Sequence, residues 1–520
     1  MKKFNKKEIF RNVGSSWFAL GVNVLVGLFL SPFILHRLGD EAFGLWVLIF
    51  SVTGYYGLFD LGIRSSIIRY VSKYTAVDDH QQLNGLVNTA LFSYSAVGLV
   101  CLAITAVGAF YVDSIFKVPA TFLGTARLLF LMVGTSVSLG FPLGVFGGIL
   151  EGLQRFYLLN TTSLASTLCR AALIVVALRN GSGLLMVAFI TVALPLLTGI
   201  INGAIVLHLL PLKFGSSYVD RSSLRKIANY SGATFMIIVA GRLRFKTDAM
   251  VIGTFLSSAA ITYFAIGSRL VDYATEVVSS LAQIFVPMSS QLEATGDMSQ
   301  LRKLFIAGNR ACALIIFPMA AVLVVLGKSV IEAWVGLKYV ETSYPVLIIL
   351  LVPSTLMLAQ AASGRILFGI SRHKVWAWVV LAEGIANLVL SITLVRRFGI
   401  IGDALGTAIP LACSMLFFLP HYLCRLLGIK LWVYLKEAFV LPIALCIPLI
   451  GILVGMQRWS YAHNYLHLAI NMAAGLGIYG LGLLWAIRTR RIWNVGEIAA
   501  KAEPEEVALS LIETYQHEEA

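Results

Sequence analysis

Runs of about 20 apolar residues, each bounded by charged or turn-forming positions, recur along the chain from Val13 to Ile487. They predict fourteen helices, with approximate limits Val13–Leu35, Ala42–Ile63, Gly85–Val112, Leu123–Ile149, Tyr157–Leu178, Leu184–Leu210, Tyr230–Leu256, Ile261–Met288, Ala307–Leu326, Val346–Phe368, Val375–Val395, Ala404–Leu423, Ala438–Met456 and Leu466–Ile487. The expected fold is an all-α polytopic membrane protein. The first run is too long for the apolar region of a signal peptide and has no evident small-residue cleavage site, so it reads as a retained helix.

Composition agrees with the pattern: 58% of the 520 residues are hydrophobic, 13% are charged and the mean hydropathy is +0.85. A soluble chain carries about 25% charge. No polar stretch is long enough for a large catalytic domain outside the bilayer. The six cysteines lie in or beside apolar runs without CxxC spacing and read as small core residues.

The net charge of +14 has a topological reading. With the N-terminus cytoplasmic, 26 of the 40 basic residues fall in inside segments and 9 in outside segments, leaving 5 within the bilayer. That bias places both termini in the cytoplasm and removes the need for a nucleic-acid partner. All connections are short. The longest runs from about Pro211 to Asn229, and the chain ends in a tail that turns acidic after Glu497.

Two stretches 217 residues apart share a pattern. Gly147-Gly-Ile-Leu-Glu-Gly-Leu-Gln-Arg155 closes the fourth helix and Ser363-Gly-Arg-Ile-Leu-Phe-Gly-Ile-Ser-Arg372 the tenth, with Ile149, Gly152 and Arg155 falling on Ile366, Gly369 and Arg372. The offset spans six helices, so the halves share one orientation and an axis along the membrane normal would relate them. The expected organisation is an N-terminal six-helix bundle over 1–212, a cytoplasmic linker over 213–229, a second six-helix bundle over 230–424, two further helices over 425–488 and a cytoplasmic tail over 489–520.

Nine ionisable residues sit well inside the apolar runs: Arg170; Arg242, Arg244, Lys246 and Asp248; Arg269, Asp272 and Glu276; and Glu383. At roughly 2.5–3.5 kcal/mol for each central charge, they must face one another or water rather than lipid. The seventh and eighth helices form a hairpin through Ser257-Ser-Ala-Ala260 that brings Asp248 level with Arg269, Lys246 and Arg244 with Asp272, and Arg242 with Glu276. A salt-bridge network that only holds the hairpin is one reading. The other makes Arg242, Arg244, Lys246, Arg269 and Arg170 a cavity site for an anionic headgroup, with Asp248, Asp272, Glu276 and Glu383 serving ion coupling or charge pairing. Asp60, Arg64 and Arg69 read as interfacial anchors. His463 and His467 read as an interfacial pair without a third ligand, so no metal or cofactor is expected.

The segment Leu35-His-Arg-Leu-Gly-Asp-Glu-Ala-Phe-Gly-Leu-Trp46, then Gly57-Leu-Phe-Asp-Leu-Gly-Ile63, then Thr247-Asp-Ala-Met-Val-Ile-Gly-Thr-Phe-Leu256 with Ser268-Arg-Leu-Val-Asp272, resembles the bacterial polysaccharide-biosynthesis flippases. These are the O-antigen type of the multidrug, oligosaccharidyl-lipid and polysaccharide exporter superfamily. The resemblance implies two pseudo-symmetric six-helix bundles with two added helices. It implies movement of polyprenyl-diphosphate-linked oligosaccharide to the outer leaflet of the bacterial cytoplasmic membrane by alternating access, and not enzymatic catalysis. Expected partners are the lipid-linked oligosaccharide, membrane lipids, a coupling H+ or Na+ and other polysaccharide-assembly proteins. Competing readings are a multidrug antiporter of the same superfamily, which would favour an acidic site, a peptidoglycan-precursor flippase, and a membrane glycosyltransferase or polymerase, which would need larger outer loops.

Overall fold

The computed structural model describes residues 6–225, 239, 241, 247–459 and 465–489. Among the described residues every regular element is helical. The longer helices are α1 (Lys6–Leu38), α2 (Asp40–Gly54), α3 (Ile63–Ala76), α4 (His80–Ile115), α5 (Leu123–Gly152), α6 (Phe156–Arg179) and α7 (Leu184–Leu209). After the linker come α8 (Asp248–Phe255), α9 (Ser258–Ala282), α10 (Phe285–Ala294), α11 (Met298–Val335), α12 (Val340–Ala359), α13 (Ala361–Gly369) and α14 (Lys374–Cys413). The last are α15 (Leu419–Leu427), α16 (Leu431–Trp459) and α17 (Tyr465–Arg488).

Eleven described stretches are long and apolar enough to cross a membrane. The longest, Lys374–Leu427, has 54 residues. A straight helix of that length would measure about 80 Å, against a hydrocarbon core of about 30 Å. It turns back at Gly399, whose φ of 59° and ψ of −139° no ordinary helix contains. The Ser391 hydroxyl then donates to the Asp403 carbonyl at 3.3 Å across the turn, so two antiparallel passes share this stretch. Helix α9 is long enough to span but carries Arg269, Asp272 and Glu276. Most of the expected seventh helix, with Arg242, Arg244 and Lys246, lies outside the described residues, as do His463 and the acidic tail.

The chain forms two compact units, one of Met1–Ala265 with Ser391–Asp403, the other of Ile266–Leu390 with Ala404–Ala520. In the first, Ile67, Val71, Leu83, Leu86, Val145 and Ile149 bury the contact of α3, α4 and α5. The start of the linker is stapled to α4: Asn84 Oδ1 accepts the Lys213 N–H at 2.9 Å, Asn88 Oδ1 that of Gly215 at 3.0 Å, and Thr89 Oγ1 that of Asp220 at 3.0 Å. The Ser222 hydroxyl and the amides of Ser222 and Ser223 in turn hold the Asp220 carboxyl down to about 2.

In the second unit, Phe305 of α11 stacks on Tyr434 of α16 with centroids 4.6 Å apart. Leu326, Leu449, Leu453 and Tyr479 bury the contact of α11 with α16 and α17. Arg310, 3% exposed, donates through Nε to the Glu437 carbonyl at 2.6 Å and through a terminal nitrogen to its carboxylate at 3.1 Å. A buried ion pair thereby ties α16 to α11.

The duplication is visible in the turns. Leu153, Gln154 and Arg155 donate to Ile149, Glu151 and Leu150; Ile370, Ser371 and Arg372 donate to Ile366, Phe368 and Leu367. Gln154 and Ser371 both adopt a left-handed backbone, with φ of 57° and 56°. Earlier in each half, Asp79 caps α4 by accepting the Gln82 N–H at 3.0 Å, and Asp297 caps α11 by accepting that of Gln300 at 2.9 Å.

Candidate functional site

The second helical pass of the first unit breaks where its polar residues gather. After Gly54 the backbone tightens into a 3-10 turn over Tyr55–Asp60, then Leu61 and Gly62 take left-handed φ values of 50° and 78° before α3 begins. This unwinding turns the carboxylate of Asp60 and the guanidinium of Arg64 toward a cavity of about 900 Å³ within the first unit. Both residues read as interfacial anchors in the sequence. The structure places both in the wall of an intramolecular cavity, beside the break at Leu61 and Gly62.

Tyr94 of α4 donates a short hydrogen bond to the Asp60 carboxylate. Arg64 reaches across to α5, where a terminal nitrogen meets Glu151 Oε1 at 2.7 Å. Arg170 on α6 lines the same cavity, and among the described residues it makes no hydrogen bond or ion pair. The rest of the wall is rich in hydroxyls and amides, among them Asn23, Thr53, Ser136, Ser163, Thr191 and Asn202. Thr167 donates to Asn23 Oδ1 at 2.9 Å and Thr162 to Asn202 Oδ1 at 2.9 Å, so several of these groups are already oriented. Gly54, Gly57, Gly140, Gly144, Gly147 and Gly199 leave parts of the wall without side-chain bulk, and Phe50, Phe141, Leu143 and Leu159 make other parts of it apolar. Two guanidiniums, one tied-down carboxylate and a ring of neutral donors suit an anionic, hydroxyl-rich ligand better than a cationic apolar one.

Of the other expected site residues, Arg269 stacks over the Tyr273 ring at 4.9 Å and approaches the Asp272 carboxylate at 3.9 Å, one turn along the same helix. Glu276 lies one further turn along α9. Glu383 is buried in the second unit and accepts the Ser414 hydroxyl at 2.7 Å. The 217-residue offset puts Asn387, one turn beyond Glu383, at the position equivalent to Arg170. The register of Arg242, Arg244 and Lys246 against α9 lies outside the described residues.

Asp403 is a residue the sequence reading passed over. It sits at the edge of an apolar run, is fully buried, and neither carboxylate oxygen has a hydrogen bond of ordinary geometry among the described residues. The carboxylate of Asp248, in the first turn of α8, acts on it electrostatically. Neither Asp248 nor Asp403 lines the cavity that holds Arg64 and Arg170.

Comparison with known proteins agrees with a helical membrane bundle. The sequence model of the family described as "polysaccharide biosynthesis protein" matches residues 9–293, more than half of the chain. The chain belongs to that family. An uncharacterized membrane protein of Bacillus subtilis, EpsK, is 24% identical over 82% of this chain and 85% of its own length. A putative O-antigen transporter of Shigella flexneri is 18% identical over 77% of this chain and 94% of its own. Among solved structures, the lipid II flippase MurJ in an inward closed conformation superposes with a TM-score of 0.67 at 15% identity, covering 92% of this chain and 98% of that one. This member of the polysaccharide biosynthesis family therefore has the fold of a multi-pass helical transporter.

Proposed function

We propose that the chain is a flippase that moves a polyprenyl-diphosphate-linked oligosaccharide from the cytoplasmic to the outer leaflet by alternating access, supplying surface polysaccharide synthesis. The observation that carries this reading is Arg170: a half-buried guanidinium on an apolar helix, without a protein partner among the described residues, in the wall of a cavity lined by hydroxyls and amides. A charge so placed is costly unless a ligand uses it. A diphosphate supplies the complementary charge, and neutral hydrogen-bonding groups suit sugar hydroxyls. The family and its relatives, among them a putative O-antigen transporter, support the same substrate class.

Arg242, Arg244, Lys246 and Arg269 are proposed as further contacts to the anionic headgroup. Asp248, now joined by Asp403, is proposed to bind the coupling H+ or Na+, with Asp272, Glu276 and Glu383 in charge pairing. The 26-to-9 bias of basic residues supports cytoplasmic termini in a bacterial cytoplasmic membrane. In a strain dependent on this gene for a surface glycan, Arg170→Ala should abolish display while the protein remains in the membrane. Normal display would remove Arg170 from the substrate site.

A further inference from the structure

The duplication supplies a comparison internal to the chain. At the offsets set by the repeated turns, Asp60, Arg64, Tyr94 and Glu151 correspond to Val278, Ala282, Cys312 and Phe368. Val278, Ala282 and Cys312 are buried together in the apolar core of the second unit. The close approach at these positions is made by glycine in both halves. A Cβ on Gly152 would come within 3.0 Å of the Ile68 carbonyl oxygen, and one on Gly369 within 2.6 Å of the Val286 carbonyl oxygen. Apolar contact and a glycine seat therefore suffice for this packing, and the Arg64–Glu151 pair is not needed to hold α3 on α5.

The pair is also placed for exchange. Its side chains are 42% and 21% exposed, so it is not locked in a dry core. Arg64 lines the cavity and has five N–H donors, of which Glu151 takes one at 2.7 Å. A phosphate oxygen offers the guanidinium the same charge-assisted geometry as the carboxylate. Asp60, held by Tyr94, accepts the Arg64 backbone N–H at 3.4 Å and so fixes the start of α3 independently of where the guanidinium points.

We propose that Glu151 is a built-in competitor for the cargo anion: it holds Arg64 when no cargo is bound and yields the guanidinium to a phosphate group of the cargo, making that contact reversible. Arg170, without such a counter-ion among the described residues, is then the constant anion contact and Arg64 the exchangeable one. The proposal rests on the reading that this cavity takes a diphosphate. A competitor of this kind lowers affinity by the free energy of its own pairing and so favours release on the far side.

The test is a titration of the full-length protein in nanodiscs with inorganic pyrophosphate as probe. Glu151→Gln should bind it about tenfold more tightly than the wild type, the change that one charge-assisted hydrogen bond is worth. Glu151→Asp should fall between them, Arg64→Gln should bind more weakly than the wild type, and the double variant should match Arg64→Gln. Glu151→Gln binding no more tightly, or a loss of folding in both Glu151 variants, would overturn the competitor role and leave the substrate reading standing. Wild-type protein with no affinity that depends on Arg64 or Arg170 would overturn both.

Discussion

Gln154 and Ser371, 217 residues apart, close equivalent helices in the same left-handed conformation, each flanked by the same three backbone hydrogen bonds. Neither side chain type favours that backbone. Two residues before each turn a glycine, Gly152 or Gly369, seats the helix end against a neighbouring carbonyl.

Gly152→Val and Gly369→Val should therefore each destabilise the protein by about 1–3 kcal/mol, the usual cost of overpacking. Gly124→Ala, where an added Cβ meets nothing within 4 Å, should leave stability nearly unchanged. Thermal unfolding in detergent checks the contrast.

Arg310→Met strands the Glu437 carboxylate beside α11 and should cost about 3–5 kcal/mol. Replacing both, as Arg310→Met with Glu437→Leu, should recover most of the loss, because the pair joins helices rather than binding cargo. The double variant should also retain transport, measured in the same preparation.

Asp403→Asn should raise the unfolding temperature in sodium-free buffer at neutral pH, because a fully buried carboxyl without a hydrogen bond of ordinary geometry among the described residues is costly and an amide isostere is less so. The same variant should lose any dependence of transport on a sodium or proton gradient. A variant that is less stable and still gradient-driven would assign Asp403 a structural role.

The sequence carried the architecture well and the site unevenly. Apolar run length is enough to find most spans, and Ile149, Gly152 and Arg155 expose the repeat because a glycine seat and its turn are local features. The cavity-lining placement of Asp60 and Arg64 was not legible, because it depends on a helix break at Leu61 and Gly62 inside what reads as one apolar run. Glu151 was legible only as a repeat position, since its partner lies 87 residues away. The burial of Arg310 was not legible, since its partner Glu437 lies 127 residues away. Asp403 escaped notice because it borders a run, and only the reversal at Gly399 shows that it is buried.

Replacing Arg170 by alanine should weaken binding of a diphosphate headgroup roughly 10- to 150-fold, the range for a hydrogen bond to a charged group. Arg170→Lys should recover part of it, since the charge is kept and the planar fork is lost. Competition between pyrophosphate and a lipid-linked oligosaccharide in nanodiscs measures both.

Reconstitution into liposomes measures transport itself. Fluorescently labelled polyprenyl-diphosphate oligosaccharide in the outer leaflet should become inaccessible to an external glycosidase at a rate that depends on the wild-type protein and falls at least about tenfold with Arg170→Ala. Equal rates in protein-free, wild-type and variant liposomes, under every ion gradient applied, would contradict the account.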